Sequence, residues 1–244
     1  MPRDPNRHSL KSHDSEDPLR IVDVIVAVFV LAMLAPLLLL IAAAVAISSP
    51  GSPFHRGCRA GKGGANFRLW KFRTMVPDAA LIGPPVTGQN DPRITPLGRF
   101  LRQTKLDELP QFVNVLFGDM TLVGPRPEAP EIVALYSAHQ RAVLAVKPGV
   151  TGPVQLSSPD ESESMPAGDS ARTYYIEHLL ERKVQQDLAY LKVRTPMTDA
   201  RLVLETAALV VRRLIGWPLT AAAARKTTVT ARLDEPAAGQ VVRR

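Results

Sequence analysis

The sequence lacks the signatures of several large functional classes. Cys58 is the only cysteine among 244 residues, so an internal disulfide and a cluster of thiolate metal ligands are both excluded. The chain contains no Walker A loop, no glycine-rich dinucleotide fingerprint and no serine nucleophile elbow. Its few histidines are scattered and do not show the close spacing of a metal site. If the protein is an enzyme, its chemistry has to come from other residue types.

Acidic residues are absent between Ser48 and Met75, although this stretch carries six lysines and arginines. The whole chain has a formal net charge of +7, which suits nucleic acid, an anionic membrane surface or a phosphorylated small molecule. A membrane-tethered nucleic-acid binder is an alternative that only the high isoelectric point suggests. No groove-reading helix or RNA-stacking motif supports it, so we expect no nucleic-acid partner.

The long hydrophobic run of the sequence extends from Val24 to Ile47 without a charged residue. Because roughly 20 helical residues cross a bilayer core, this run predicts a membrane helix. A cleaved signal peptide is disfavoured, since the run is about twice the usual apolar length. Pro36 lies at its middle, where a missing N–H and a ring clash bend or break a helix. Basic residues stand on both flanks: Arg20, Arg56, Arg59 and Lys62.

These features favour a re-entrant helix over residues 20–47, which enters the membrane, kinks and returns to the same face. A single-pass anchor that tolerates Pro36 remains the alternative on composition alone.

A short hairpin is predicted after the hydrophobic run. Its strands would be Phe54–Arg59 and Phe67–Thr74, because clusters of proline, glycine and serine delimit both. If the second strand is extended, Lys71 and Arg73 lie two residues apart and share one face.

The rest of the chain is rich in helix signals. Helices are expected to start after Thr95, with Pro96 at the first position, and to cover residues 130–146, 176–191 and 198–215. Thr198 should cap the last helix, and Gly216 should follow its end. Residues 157–169 are polar and predict a loop. The fold class is therefore α+β, mostly helical, in a membrane-associated domain.

Asp107 and Glu108 lie in the densest polar stretch of the sequence. One interpretation is purely structural: acids favour the positive end of a helix, and Thr104 could accept the N–H of Asp107 as a cap. The surroundings favour another interpretation, because many cations in compact polar islands suit a polyanion. These cations are Lys71, Arg73, Arg99, Arg102 and Arg126.

The adjacency of Asp107 and Glu108 also limits what they can do. Consecutive helical residues point about 100° apart, so the two carboxylates cannot readily share one proton. One can attack as a nucleophile while the other holds a metal. Mg²⁺ is the hard cation that carboxylates and phosphates both bind.

Arg126 stands between Pro125 and Pro127. The two prolines fix the backbone on either side, which lowers the entropy lost when the guanidinium binds phosphate. An ordinary loop with a surface arginine is the structural alternative.

Eight short motifs follow one another in a fixed order: Ser49–Phe54, Lys71–Met75, Asn90–Thr95, Leu97–Arg102, Leu106–Gln111, Asn114–Met120, Leu122–Glu128 and Lys147–Gly152. In content and order they resemble the bacterial sugar transferase family, the monotopic polyprenyl-phosphate phosphoglycosyl transferases. The resemblance covers roughly residues 20–200.

The resemblance implies a two-step reaction. Asp107 would attack the β-phosphorus of a UDP-sugar, expel UMP and carry the sugar phosphate until polyprenyl phosphate accepts it. Glu108 would help to bind Mg²⁺, and Pro125 and Pro127 would shape the nucleotide pocket. The expected phosphate ligands are Lys71, Arg73, Arg102 and Arg126.

The resemblance also implies a protein of the bacterial inner membrane, in contact with lipid, whose active site faces the cytoplasm. The expected division of the chain is a disordered tail (1–19), the re-entrant helix (20–47), a catalytic domain (48–200), an amphipathic helix (201–217) and a second disordered tail (218–244).

Two departures from the family pattern are visible. Ala35-Pro36 stands where the family usually has Ser-Pro. After Gly152, the segment Pro153–Ser158 replaces an aromatic residue and an Asn-Gly-Arg-like run, so an expected phosphate-binding arginine is missing. An inactive relative that serves as a membrane scaffold in polysaccharide assembly is therefore the alternative function, although Asp107 and Glu108 are intact.

Overall fold

The computed structural model describes residues 18–79, 81–83, 87–88, 90–158, 165–166, 168 and 170–216. Most of the first expected tail, residue 217, the whole second tail and much of the loop expected over 157–169 lie outside this part of the chain. Within it, helices dominate, and the strands form two separate two-stranded sheets. The mostly helical α+β class is confirmed.

Helix α1, Pro18–Ser48, contains the hydrophobic run and continues through Pro36. It begins two residues before the expected range and ends one residue after it. Among the described residues, it is the helix whose length and composition would allow it to cross a membrane. Ala27 in its first half and Val45 near its end are both buried, whereas Phe29 is 64% exposed.

Strands β1 (Phe54–Ala60) and β2 (Asn66–Phe72) form the predicted antiparallel hairpin. Gly63 and Gly64 lie at its turn with φ of +66° and +78°, a left-handed conformation that glycine adopts without steric cost. Because β2 ends at Phe72, Arg73 lies just beyond the strand.

Helix α2, Pro96–Thr104, begins where the sequence predicted. The Thr95 side chain accepts a hydrogen bond of 2.9 Å from the N–H of Gly98, which satisfies one of the free donors of the first turn. A single 3₁₀ turn, Leu106–Glu108, and helix α3, Gln111–Phe117, follow directly.

Strand β3 (Thr121–Val123) pairs in parallel with β4 (Gly149–Thr151). The connection between them was predicted as one helix over 130–146, and this prediction is wrong. The structure has a short helix α4, Pro130–Val133, and a separate 3₁₀ helix, Gln140–Ala145.

Local side-chain hydrogen bonds explain this break. The N–H of Ser137 donates to Gln140 Oε1 over 2.7 Å, and the N–H of Gln140 donates to Ser137 Oγ over 3.2 Å. Such bonds compete with the backbone bonds of a continuous helix. A new helical turn therefore starts at Gln140.

The C-terminal part is helical. Its helices are α5 (Pro153–Ser157), α6 (Ser170–Tyr174), α7 (Leu180–Val193) and α8 (Pro196–Leu214), with a π-helical segment at Tyr175–Leu179 between α6 and α7. The largest apolar cluster joins this part to the β3–β4 connection, and its members include Ile132, Tyr136, Val143, Leu180 and Val184.

Helix α8 begins earlier than predicted. Thr195 is its cap, because the Thr195 side chain accepts the N–H of Thr198 over 3.2 Å. The N–H of Thr195 donates to Thr198 Oγ1 over 2.9 Å, so the two threonines form a reciprocal capping box. The prediction that Thr198 itself is the cap is wrong. Gly216, with φ of +67°, follows the helix as predicted.

Candidate active site

Asp107 and Glu108 lie in the 3₁₀ turn between α2 and α3. Lys105, with φ of 62°, turns the chain out of α2. Thr104 does not cap this turn, contrary to the structural interpretation of the pair. Its hydroxyl instead donates back into α2, to the carbonyl of Phe100 over 2.8 Å. The turn therefore depends on backbone geometry rather than on a side-chain cap.

Asp107 is buried, with 6% of its surface exposed. Its Oδ1 atom is inaccessible and has no hydrogen-bond partner within the described part of the chain. Burial raises the pKa of Asp107, whereas the charges of Lys71, Lys105 and Arg102 favour the ionised form. Because buried polar atoms nearly always have partners, an unpartnered carboxylate oxygen marks a candidate for direct chemistry.

Glu108 receives two cations. Lys71 Nζ lies 2.6 Å from Glu108 Oε1, and Arg126 Nη2 lies 3.3 Å from the same oxygen. Burial alone would raise the pKa of Glu108, but the attraction of Lys71 and Arg126 outweighs it and holds the pKa well below its ordinary value. Glu108 is therefore ionised near neutral pH. The pKa of its neighbour Asp107 is shifted in the opposite direction, because burial raises it.

Strand β2 delivers Lys71 to this position. The Asn114 side chain on α3 accepts the N–H of Trp70 over 2.9 Å and donates to the carbonyl of Arg68 over 2.7 Å. Asn114 is fully buried, so these bonds fix β2 against α3. Lys71, the next residue along the strand, is thereby held beside the turn that precedes α3.

The β3–β4 pair delivers Arg126. The N–H of Gly124 donates to the carbonyl of Thr151 over 3.0 Å, and the N–H of Gly149 donates to the carbonyl of Pro125 over 2.9 Å. A side chain at Gly124 would lie 2.6 Å from the carbonyl oxygen of Lys147, closer than real contacts allow. Glycine at this position therefore permits the close approach that fixes the Pro-Arg-Pro loop.

Helix α7 and the π-helical segment before it support the same loop. Tyr175 donates a hydrogen bond to Glu128 Oε1, and Lys183 Nζ lies 3.3 Å from that oxygen. Asp187 accepts the backbone N–H of Arg126, and burial raises the pKa of Asp187 to about 7. Arg126 and Glu128 are thus both held by α7 and the π-helical segment that precedes it.

The structure does not bring every predicted ligand to the carboxylates. Arg73 donates to carbonyl oxygens at the end of α1, namely those of Ser49 over 2.7 Å and Val45 over 3.3 Å. Arg102 donates to Thr74 Oγ1 over 2.8 Å. Burial lowers the pKa of Arg102, and the negative charge of Asp107 partly offsets this change. Arg102 therefore contributes to the charge around Asp107, whereas Arg73 forms hydrogen bonds with the end of α1.

A polar cavity of about 70 Å³ lies beside Lys71 and Arg126, the two cations that contact Glu108. The residues that line it include Arg59, Lys71, Gln111, Arg126, Pro127 and Glu128. Pro125 is buried beside Arg126 and lines a smaller, more apolar space together with Pro127. The predicted Lys71, Arg126 and Pro127 therefore line this cavity, and Pro125 lines the smaller space next to it.

Sequence reasoning missed several residues of this region. Lys183 and Asp187 are four residues apart in a predicted helix and therefore share a face, but nothing in the sequence indicates that this face meets Glu128. Arg59 was noted only as a basic flank of the membrane helix. The hairpin register, which places Arg59 opposite Phe67 and Lys71 opposite His55, puts Arg59 and Lys71 on one face.

Glu108 could supply one carboxylate ligand to a Mg²⁺ ion that is shared with a substrate. Within the described residues, no three His, Cys, Asp or Glu side chains form a metal cluster. Protein-bound Mg²⁺ commonly takes one or two carboxylates and completes its shell with water and substrate phosphates. Both bonds to Glu108 use Oε1, so the second carboxylate oxygen of Glu108 would suit such an ion.

Comparison with known proteins adds independent information. The family model described as "Bacterial sugar transferase" matches residues 18–213. The chain is 38% identical over 194 residues to UDP-glucose:undecaprenyl-phosphate glucose-1-phosphate transferase of Escherichia coli, covering 77% of this chain and 39% of the relative. It is also 38% identical over 192 residues to the protein of the same name from Caulobacter vibrioides, covering 77% of this chain and 67% of the relative.

An Aeromonas hydrophila relative is named UDP-N-acetylgalactosamine-undecaprenyl-phosphate N-acetylgalactosaminephosphotransferase. It is 31% identical over 188 residues, which cover 76% of this chain and 41% of the relative. The chain thus spans about two fifths of the E. coli and A. hydrophila proteins and about two thirds of the Caulobacter protein. The names of these relatives also differ in the sugar.

Proposed function

The chain belongs to the bacterial sugar transferase family, and on this basis we propose that it transfers a sugar 1-phosphate from a UDP-sugar to a polyprenyl phosphate, releasing UMP. The named relatives use undecaprenyl phosphate as acceptor, so undecaprenyl phosphate is the acceptor proposed here. Such a transfer would start the assembly of an exopolysaccharide, O-antigen or other glycoconjugate.

Asp107 is the proposed nucleophile, and its unpartnered Oδ1 is the observation that carries the proposal. A carboxylate oxygen attacks the β-phosphorus of the UDP-sugar, and the bond from that phosphorus to the bridging oxygen breaks. UMP leaves with the bonding electrons, and an acyl phosphate that carries the sugar remains on Asp107. An oxygen of polyprenyl phosphate then attacks the same phosphorus and releases the Asp107 carboxylate.

The surrounding cations have separate tasks in this scheme. Lys71 and Arg126, which meet at Glu108, are positioned to hold the phosphoryl oxygens as charge moves between them. Arg102 and Lys105 favour the ionised form of Asp107 and so offset part of the rise in its pKa that burial causes. Arg73, proposed from the sequence as a further phosphate ligand, uses its donors at the end of α1 instead.

Glu108 is the proposed Mg²⁺ ligand. A bound Mg²⁺ would neutralise charge on the diphosphate and favour departure of UMP. Lys71 fixes the orientation of the Glu108 carboxylate through the 2.6 Å contact.

We also propose that α1 is re-entrant and that the catalytic domain lies on the cytoplasmic face of the inner membrane, in contact with lipid. Near the start of α1, Arg20 Nη2 donates to the carbonyl of Leu116 over 3.0 Å. Near its end, Ile41 and Val45 pack in one cluster with Phe72. Residues 20 and 45 would be about 37 Å apart in a straight helix, farther than a bilayer core is thick.

A straight spanning helix would place these two contacts on opposite sides of the membrane. Both contacts nevertheless belong to the same folded domain, through α3 at one end and β2 at the other. A helix whose two ends return to one face agrees with this arrangement, whereas a simple single-pass anchor does not.

The reaction is tested with membranes that contain the protein, Mg²⁺, undecaprenyl phosphate and a panel that includes UDP-glucose and UDP-N-acetylgalactosamine. We expect release of UMP and formation of a lipid-linked sugar diphosphate with at least one donor. Membranes that contain Asp107→Asn are the matched control and should form neither product. If the wild-type protein releases no UMP from any UDP-sugar, the scaffold function replaces this proposal.

A further inference from the structure

Arg59 is a cation of the polar cavity for which the catalytic scheme has no task. It lies on β1, is partly buried, and lines the cavity together with Lys71 and Arg126. Its place follows from the hairpin, because strand residues that face each other across an antiparallel pair project from one side of the sheet. Gly57 lies between Arg59 and His55 on this side, and it adds no side chain to the space.

The hydrogen bonds of Arg59 leave most of its guanidinium available. In the described part of the chain, Arg59 Nη1 donates over 2.8 Å to the carbonyl of Cys58, its own neighbour. Glu128 exerts the strongest attraction on it, but Glu128 Oε1 already accepts hydrogen bonds from Tyr175 and Lys183. A guanidinium carries five N–H donors, so this one can still bind an anionic ligand that enters the cavity.

The hairpin register separates Arg59 from Lys71, because Lys71 pairs with His55 and Arg59 lies four residues further along β1, opposite Phe67. Lys71 and Arg126 contact Glu108 directly, whereas the strongest charge effects on Arg59 come from Glu128 and Arg126. Arg59 is not among the residues that most affect Asp107 or Glu108. Arg59 therefore lies further along the hairpin than Lys71, which contacts Glu108, and its strongest attraction is to Glu128.

We propose that Arg59 binds the α-phosphate of the nucleotide sugar, the phosphate that leaves as part of UMP. This inference rests on the proposed function. If Asp107 attacks the β-phosphorus beside Lys71 and Arg126, the next phosphate along the substrate extends away from Asp107 toward Arg59. The planar fork of arginine suits two phosphate oxygens at once. Arg59 thus contributes to donor binding and to retention of UMP as product.

The test measures binding of UMP, UDP and uridine by calorimetry to the full-length protein in nanodiscs with Mg²⁺. Arg59→Met should weaken both UMP and UDP binding about 10- to 150-fold, the range for loss of a hydrogen bond to a charged group. Uridine binding should not change, because uridine has no phosphate. Arg59→Lys keeps the charge without the fork and should cause a smaller loss. Arg68→Met, on the exposed opposite face of the hairpin, is the matched control and should bind like the wild type.

The outcomes separate this inference from the proposed function. If UDP binds more weakly to Arg59→Met but UMP does not, Arg59 acts at the β-phosphate or the sugar, and the α-phosphate assignment is wrong. If both ligands bind as tightly as to the wild type, Arg59 binds no phosphate, while transfer itself still stands. A wild type that binds no uridine nucleotide and releases no UMP overturns the function together with this inference. Should Arg59→Met fail to fold, as judged by thermal melting, unchanged UMP binding by Arg59→Lys overturns the fork contact.

Discussion

Replacement of Lys71 by methionine should shift the pH dependence of the reaction. Lys71 is the largest source of positive charge acting on both Asp107 and Glu108. Its Nζ lies 2.6 Å from Glu108 Oε1, with 20% of the lysine side chain and 16% of the glutamate side chain exposed. Methionine has a similar length and fills the space beneath the ammonium group, so the substitution mainly removes charge.

The size of the effect follows from this partly buried contact. A hydrogen bond to a charged group contributes about 1.5–3 kcal/mol, and one pKa unit corresponds to about 1.4 kcal/mol. The acid limb of the rate, which reports ionisation of the Asp107–Glu108 pair, should therefore move upward by about 1–2 pH units. At neutral pH, kcat/KM should fall about 10- to 150-fold.

The assay is UMP release at saturating Mg²⁺ between about pH 4.5 and 9, with membranes normalised for protein content. Lys62→Met is the matched control, because Lys62 is an exposed lysine in the turn of the same hairpin. Its pH profile should match that of the wild type. A Lys71→Met profile that falls in rate without any shift of the acid limb would mean that Lys71 does not set the ionisation of the pair.

Three further predictions concern Asp187, Arg73 and the orientation of α1 in the membrane. Burial raises the pKa of Asp187 from 3.8 to about 7, so the folded state binds the extra proton. The stability that this provides is complete below pH 4 and is lost as pH rises through 7, up to roughly 4 kcal/mol. Asp187→Asn should remove this pH dependence from thermal melting; equal slopes for both proteins would refute it. Arg73→Met should lower the melting temperature yet change UMP affinity less than about threefold, because its donors bind carbonyls at and just after the end of α1. A large loss of UMP affinity would restore the role as phosphate ligand. In a Cys58→Ser background, Ser15→Cys and Lys62→Cys should both resist an impermeant thiol reagent in intact cells and react after lysis, and labelling of position 15 alone in intact cells would indicate a single-pass anchor.

Several features of the fold were predictable because their causes are local. The hairpin follows from its flanking breakers, and helix α2 starts at a threonine followed by a proline, as the capping rules require. The prediction of one helix over 130–146 was wrong for an equally local reason, because Ser137 and Gln140 exchange hydrogen bonds that interrupt the helix. Apolar periodicity alone does not reveal such an exchange.

The site was predictable only in its residue types. Lys71 and Arg126 do meet at Glu108, although all three are distant in sequence. The alternation of side chains along a strand also predicted that Arg73 lies on the same face as Lys71. This prediction requires a strand that includes Arg73, but β2 ends at Phe72.

The supports of the site depend on packing between distant elements. The contact between α7 and the Pro-Arg-Pro loop is one example, because helix periodicity groups Lys183 with Asp187 but does not say which loop they meet. Arg59 is another, since its role depends on the cavity that the folded chain forms around it.

The covalent step is the central claim, and intact-protein mass spectrometry tests it most directly. The purified protein is mixed with a UDP-sugar and Mg²⁺ in the absence of polyprenyl phosphate. We predict release of up to one equivalent of UMP and a mass increase equal to one sugar phosphate, which hydroxylamine removes as it does an acyl phosphate. Glu108→Gln should form the same adduct more slowly, and Asp107→Asn, which keeps the side-chain shape without its charge, should form none. An adduct that persists in Asp107→Asn, or a wild type that releases UMP only when the acceptor is present, would contradict the account.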